Sequence, residues 1–337
     1  MYQNEIFRDP KPMTPALNLE ILDLRHFSAA SLRPLLDAEA RVWSERLQWD
    51  YRASANLLLQ YLDLRVLPGY VAIEGGRIAG YIFCVYEENK AVIGDVFAAP
   101  PPGSGISREE IESRLLESLI EMLQHSPGVD RIESQLLLHP HGEHSPIFER
   151  DGFETAERLF LRLDLSGPRP APRSVHAPAG IQMRPWRDED FHAASHLISE
   201  AYRGHLDSHI NDQYRTVAGS LRFLHNIVRF PGCGFFDPPA SRVLTYPGGH
   251  GLAGLLLCSR VREDVAHVTQ LCVAPQFRGK GLGRALLDAC IVDVQARGFR
   301  ALTLTVTKAN RGAIALYEQT GFRPMHSFDA MLWERKS

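Results

Sequence analysis

Residues 267–284, HVTQLCVAPQFRGKGLGR, decide how the rest of the chain is read. Val268, Leu271 and Val273 predict a strand that breaks at Pro275. A helix is expected from about Leu282, with Ala285, Leu286, Leu287, Ala289, Ile291 and Val292 at helical spacing. Between strand and helix lies Arg278-Gly279-Lys280-Gly281-Leu282-Gly283. Glycines let backbone N–H groups crowd around an oxyanion, and a helix start adds the positive end of its dipole. Arg278 and Lys280 add two full positive charges. Such a loop suits phosphate, although an ordinary strand-to-helix turn also needs glycines. The loop itself fits neither G-x-x-x-x-G-K-[ST] nor G-x-G-x-x-G.

A second signal follows. Residues 301–306, ALTLTV, alternate as a strand and lead into NRGAIALYEQTGF at 310–322. Asn310 stands at a helix start, Ala313 and Leu316 share a face near Tyr317, and Gly321 stops the helix. R-x-x-G-x-G followed at this separation by N-x-x-A-x-x-L-Y-x-x-x-G-F resembles the GNAT superfamily of acyl-CoA-dependent N-acyltransferases, over residues 181–335.

The resemblance implies an α/β domain with a mixed, mostly antiparallel sheet flanked by helices. It implies an N-acyltransferase, most simply an acetyltransferase, moving the acyl group of acetyl-CoA or another acyl-CoA directly onto a primary amine. By the same resemblance Arg278, Gly279, Lys280, Gly281, Leu282, Gly283 and Arg284 hold the coenzyme pyrophosphate, with Asn310. Backbone N–H groups of Leu271, Cys272 and Val273, on a strand splayed from its neighbour, meet thioester and pantetheine. Tyr317 takes the position of the general acid for the departing thiolate, and a packing role is the competing reading. The general base maps onto His267, six residues before Val273, although a lone strand histidine is more often structural. Its titration is expected near 6.5, moved by its surroundings. Thr269 shares its strand face, and Glu263 and Asp264 are runners-up.

The first half repeats the second. Gly75-Gly76, Gly80 and Cys84 echo Gly248-Gly249, Gly254 and Cys258, and Gly152-Phe153 echoes Gly321-Phe322. A period of about 170 residues is a domain copied in tandem, not a solenoid. The expected layout is a loose leader at 1–16, a first copy at 17–165, a Pro/Gly/Ser-rich linker at 166–180 and a second copy at 181–335. In the first copy Pro102, or Pro100 in a shifted register, stands where Arg278 does. Phe148 stands for Tyr317 and His141 for Asn310. That copy is expected to be degenerate, a packing partner or pocket wall, with weak coenzyme binding through Gly103 and Gly105 left open. A silent acyl-CoA-binding module, or two coenzyme-binding halves acting on a bulky acceptor, are the alternatives.

The resemblance implies a small-molecule or peptide amine as acceptor. The segment 202–214 is polar, aromatic and mildly acidic, which would suit a cationic amine, although a solvated helix connection accounts for the same composition equally well. With 337 residues, 45% hydrophobic and 23% charged, a formal charge of −3 and no basic run, neither nucleic acid nor membrane is an expected partner. The five scattered cysteines form no disulfide framework or zinc spacing, which fits a reduced cytoplasm. His139, His141 and His144 read as solvated loop punctuation, so no metal is expected. A monomer or homodimer is expected.

Overall fold

The computed structural model describes residues 19–168, 180–246 and 251–336. The leader at 1–16, most of the linker at 166–180 and the Gly248-Gly249 turn lie outside the described residues. The first half runs β1 (Leu19–Asp23), α1 (Ala29–Leu47), α2 (Arg52–Asp63), β2 (Gly69–Glu74), β3 (Arg77–Glu87), β4 (Lys90–Ala98), α3 (Arg108–His125), β5 (Arg131–Gln135), α4 (Ser145–Arg150) and β6 (Glu154–Asp164). The second half runs β7 (Gln182–Pro185), α5 (Phe191–Ala201), α6 (Leu206–Ile210), α7 (Val217–Arg229), β8 (Phe235–Phe236) and β9 (Arg242–Thr245). It continues through β10 (Leu252–Arg262), β11 (Val265–Val273), α8 (Leu282–Ala296), β12 (Ala301–Thr307), α9 (Arg311–Thr320) and β13 (Arg323–Glu334).

Local chemistry sets most of these limits. Ser28 and Ser31 cap the start of α1 reciprocally. Gly75 and Gly76, at φ +54° and +77°, turn the β2–β3 hairpin. α7 begins only after a short 3-10 turn. Asn211 Oδ1 accepts the Gln213 N–H at 3.0 Å and holds that turn, and Thr216 Oγ1 accepts the Gly219 N–H at 2.9 Å to begin α7.

The halves do not keep separate sheets. Among the described residues a single sheet runs β1-β2-β3-β4-β5-β13-β6-β12-β11-β10-β9-β7, with β8 beside β10. At its centre each half lends its last strand to the other. β13 lies antiparallel between β5 and β6 (Ala330↔Gln135, Phe328↔Arg158), and β6 pairs with β12 (Leu161↔Leu304). The two halves are thus fused through exchanged strands.

The copies repeat in their close contacts as well. A Cβ on Gly80 would lie 2.9 Å from Ile111 of α3, and one on Gly254 would lie 3.2 Å from Leu286 of α8. Both glycines let the helix after the loop settle on its sheet. On the other face, α1 and α2 share one core with Val261, Val265 and Ala301 of the second half. Asp50 N–H donates to the Val261 carbonyl at 2.7 Å, so the first half buttresses the strands of the second. Among the described residues no helix is long and apolar enough to cross a membrane.

Candidate active site

The site begins at a kink. β11 pairs with β10 as Cys258↔Val268 and then Leu257↔Gln270, which leaves Thr269 as a bulge. A bulge bends its strand. The parallel pairing of β11 with β12 ends there, at Val268↔Leu304, although the strands run on to Val273 and Thr307. Between the diverging ends opens a cavity of about 400 Å³. His267, Thr269 and Leu271 line it from β11, and Asn310 and Tyr317 from α9. Tyr202 and Asp207 close one side, and Trp49, Gln135 and Arg158 of the first half close another. One cavity thus collects His267, Leu271, Asn310 and Tyr317.

The Leu271 N–H points into the opening, where Gln270 Oε1 accepts it at 3.0 Å. The Tyr202 hydroxyl donates to the same oxygen at 2.8 Å. Cys272 is buried and burial pushes its thiol up to about 12, so it is a neutral packing group, not a nucleophile. Val273 meets the loop: a Cβ on Gly283 would lie 3.8 Å from its side chain.

In the loop, Gly279 and Gly281 adopt φ of +73° and +76°, and α8 begins at Leu282. Among the described residues no backbone hydrogen bond outside helices and strands uses the N–H of Gly279, Lys280 or Gly281. The first-turn N–H groups of α8 point the same way by helix geometry. Lys280 Nζ lies 5.5 Å from the Phe277 ring centre in an exposed position. The Arg278 guanidinium donates to the Ala201 carbonyl at the end of α5, and Arg284 Nε donates to Asp288 at 2.8 Å. Those two arginines therefore also brace the loop. In the first half, Ser104 Oγ sits 2.7 Å from the Glu74 carboxylate and accepts the Ile106 N–H. Ser107 caps α3, and Glu109 and Glu110 occupy its first turn. Acidic groups stand where a phosphate would need positive ones.

Tyr317 is buried edge-to-face on Phe322, ring centres 5.8 Å apart, and Phe148 packs on Phe153 the same way at 5.0 Å. Packing therefore accounts for the ring of Tyr317 but not for its hydroxyl. Burial, then the Asp207 carboxylate, raise that hydroxyl's pKa and keep it protonated. Asn310 Oδ1 accepts the Ala313 N–H at 3.2 Å and so caps α9 beside the cavity.

His267 is buried between Trp49 and Phe160, ring centres 5.0 and 5.8 Å away. Thr303 Oγ1 donates to the Ala266 carbonyl at 3.1 Å, so it accepts from His267 Nδ1–H at 2.9 Å. That assigns the proton to Nδ1 and leaves the Nε2 lone pair free. Burial, then the Arg158 guanidinium, pull its pKa down to about 3, which corrects the expectation of titration near 6.5. Glu263 and Asp264 sit at the other end of β11, outside the cavity, and Asp264 is paired to Arg262 at 2.6 Å.

Sequence reasoning missed Gln270, Arg158 and Trp49; the last two lie in the other copy and carry no local signal. Asp207 lies in the polar segment singled out above. The solvated reading of the histidine loop is corrected: His139 and His144 are buried, while His141 stays open and bonds Asp329 at 2.6 Å.

The model of the acetyltransferase (GNAT) family matches residues 184–322. The second half carries a GNAT acetyltransferase domain. The match spans the bulged strand, the loop and α9. Over 338 aligned residues the chain is 28% identical to a mycothiol acetyltransferase of Geodermatophilus obscurus, covering 98% of each. It is 30% identical over 168 residues to one of Propionibacterium freudenreichii, covering 49% of this chain and 50% of that one. In fold it is similar to a GCN5-related N-acetyltransferase from Sphaerobacter thermophilus (TM-score 0.63, 17% identity, 94% and 95% covered). It is also similar to a tandem GNAT protein of the clavulanic acid biosynthesis pathway (TM-score 0.58, 18% identity, 95% and 100% covered). With this domain the chain is an N-acetyltransferase that uses acetyl-CoA.

Proposed function

We propose that the acetyl group is transferred at one working site, in the second half, to the primary amine of a small polar molecule. The observation that carries the reading is the splayed cavity, where His267, the Leu271 N–H and Tyr317 converge beside an anion-binding loop. The pyrophosphate would lie on the N–H groups of residues 279–283 with Lys280, and the thioester along β11. Its carbonyl oxygen replaces Gln270 Oε1 at the Leu271 N–H, a donor worth about 3 kcal/mol to the developing oxyanion.

Asp207 attracts the ammonium form of the acceptor. Once deprotonated, the amine attacks the carbonyl carbon; the C–N bond forms and the C–S bond breaks. Tyr317, kept protonated by its burial, gives its proton to the thiolate as the C–S bond breaks. His267 Nε2 accepts a hydrogen bond from the amine and orients it. With so low a pKa it does not hold the proton, which passes to water.

The cavity size and its closure by the first half support a small acceptor. The mycothiol acetyltransferase relatives support the same class. Five free cysteines support a reducing, cytoplasmic setting.

The test is free-thiol release from acetyl-CoA across an amine panel that includes the acceptor of the mycothiol acetyltransferases. Turnover with a small amine is expected. Tight acetyl-CoA binding by calorimetry, with no thiol released by any amine, would mean a silent binding module.

A further inference from the structure

The histidine loop that the chemistry above leaves unused closes on a buried cluster in the first half. His139 Nδ1 lies 3.2 Å from His144 Nε2 and 3.4 Å from Glu143 Oε2. Glu112 Oε2 lies 3.3 Å from His144 Nε2 and 3.8 Å from His139 Nδ1. All four ligand atoms fall within 4.8 Å of one another. A tetrahedral ion with bonds of about 2.0–2.2 Å has ligand–ligand edges of about 3.3–3.6 Å. Four edges of the cluster, at 3.2, 3.3, 3.4 and 3.8 Å, already lie near that range, and the rest need close by no more than about an ångström from within 4.8 Å.

The surroundings prepare these atoms as ligands. His139 Nε2 is 2.9 Å from the Val96 carbonyl and donates to it, which leaves the Nδ1 lone pair facing the cluster. Glu112 is 0% exposed; its Oε1 accepts the Ala98 N–H at 3.1 Å. Glu143 Oε1 accepts from Arg108 at 2.5 Å. The other oxygen of each carboxylate, Oε2, is buried and has no hydrogen-bond partner among the described residues. Buried carboxylate oxygens without donors are costly. One proton can serve one pair of these atoms, whereas a metal ion serves all four.

We propose that Glu112, His139, Glu143 and His144 bind one divalent cation in a closed tetrahedral site, with zinc as the best fit. Two imidazoles and two carboxylates at this geometry suit zinc, and four protein ligands leave no open position for catalysis. The ion is structural: it ties α3 to the loop that follows β5 and to the start of α4.

The full chain, stripped with a chelator and dialysed, should take up one equivalent of Co²⁺. The complex should show the intense visible bands of tetrahedral cobalt and none of the near-ultraviolet absorption of a cobalt–thiolate. Zn²⁺ should displace the cobalt and raise Tm. Glu112→Gln and His144→Gln should each weaken binding by about tenfold or more. No uptake of either ion by the folded chain would overturn the proposal and leave a proton as the occupant. So would weak six-coordinate bands, a thiolate band, or uptake indifferent to both substitutions. Where a variant fails to fold by circular dichroism, the stoichiometry and spectrum of the unaltered chain decide.

Discussion

Acid should destabilise this protein through His267. The folded ring is neutral with a pKa of about 3, against 6.5 for a free histidine. Because folding depresses the pKa, the unfolded chain takes up the proton first. The contribution to stability is therefore complete above pH 6.5 and is lost as the pH falls from there toward 3. A difference of about 3.5 is worth about 5 kcal/mol over the whole window, at 1.36 kcal/mol for each. By pH 5 an unfolded histidine is about thirtyfold protonated and the folded one hardly at all, so about 2 kcal/mol is already gone. Urea unfolding of the wild type and of His267→Gln at pH 7.5 and 5 measures this, since other titrating groups cancel in the comparison. The wild type should lose about 2 kcal/mol more than the variant. Equal losses would refute the burial argument, and so would a limb in kcat/KM between pH 6 and 7 that disappears in the variant.

Tyr317→Phe should lower kcat by about ten- to a thousandfold with stability and coenzyme affinity little changed, because Phe148 shows that the ring packs without its hydroxyl. An unchanged kcat in steady-state assays would make water the proton source. Gly281→Glu should abolish acetyl-CoA binding in calorimetry, since it strains a φ of +76° and sets a negative charge at the start of α8. The unaltered chain should bind one acetyl-CoA, and two equal sites would refute the loss of the first. Gly80→Val should lower the urea midpoint by about 1–3 kcal/mol equivalent while coenzyme affinity holds, because its Cβ would meet Ile111 at 2.9 Å.

What the chain shows as text is what depends on neighbours along it. The loop at 278–283 and the cap at Asn310 are local patterns, and each lies where its pattern placed it. The strand exchange is not local. β6 and β13 both follow a Gly-Phe pair, and nothing in either segment names the strand that lies beside it. Burial of charge-bearing side chains was hidden for the same reason. His267 is sealed by Trp49, far back in the chain, and His139 by the helix that carries Glu112. Polar neighbours in sequence made that histidine loop look wet. Asp207 looked like any acidic loop residue until Thr307, a hundred positions on, proved to hydrogen-bond it at 2.5 Å.

The exchanged strands also set a clock for biosynthesis. β5 is made early, yet the strand that covers its edge is β13, with Gln135 opposite Ala330. At about 5–20 residues per second, the ribosome needs about 10–40 s to make the intervening chain. Throughout that time the nascent first half carries a bare sheet edge, the kind of surface that recruits other strands. This chain cannot complete its first domain before its second, so chaperone cover during translation matters more to it than to a protein whose domains close one after the other.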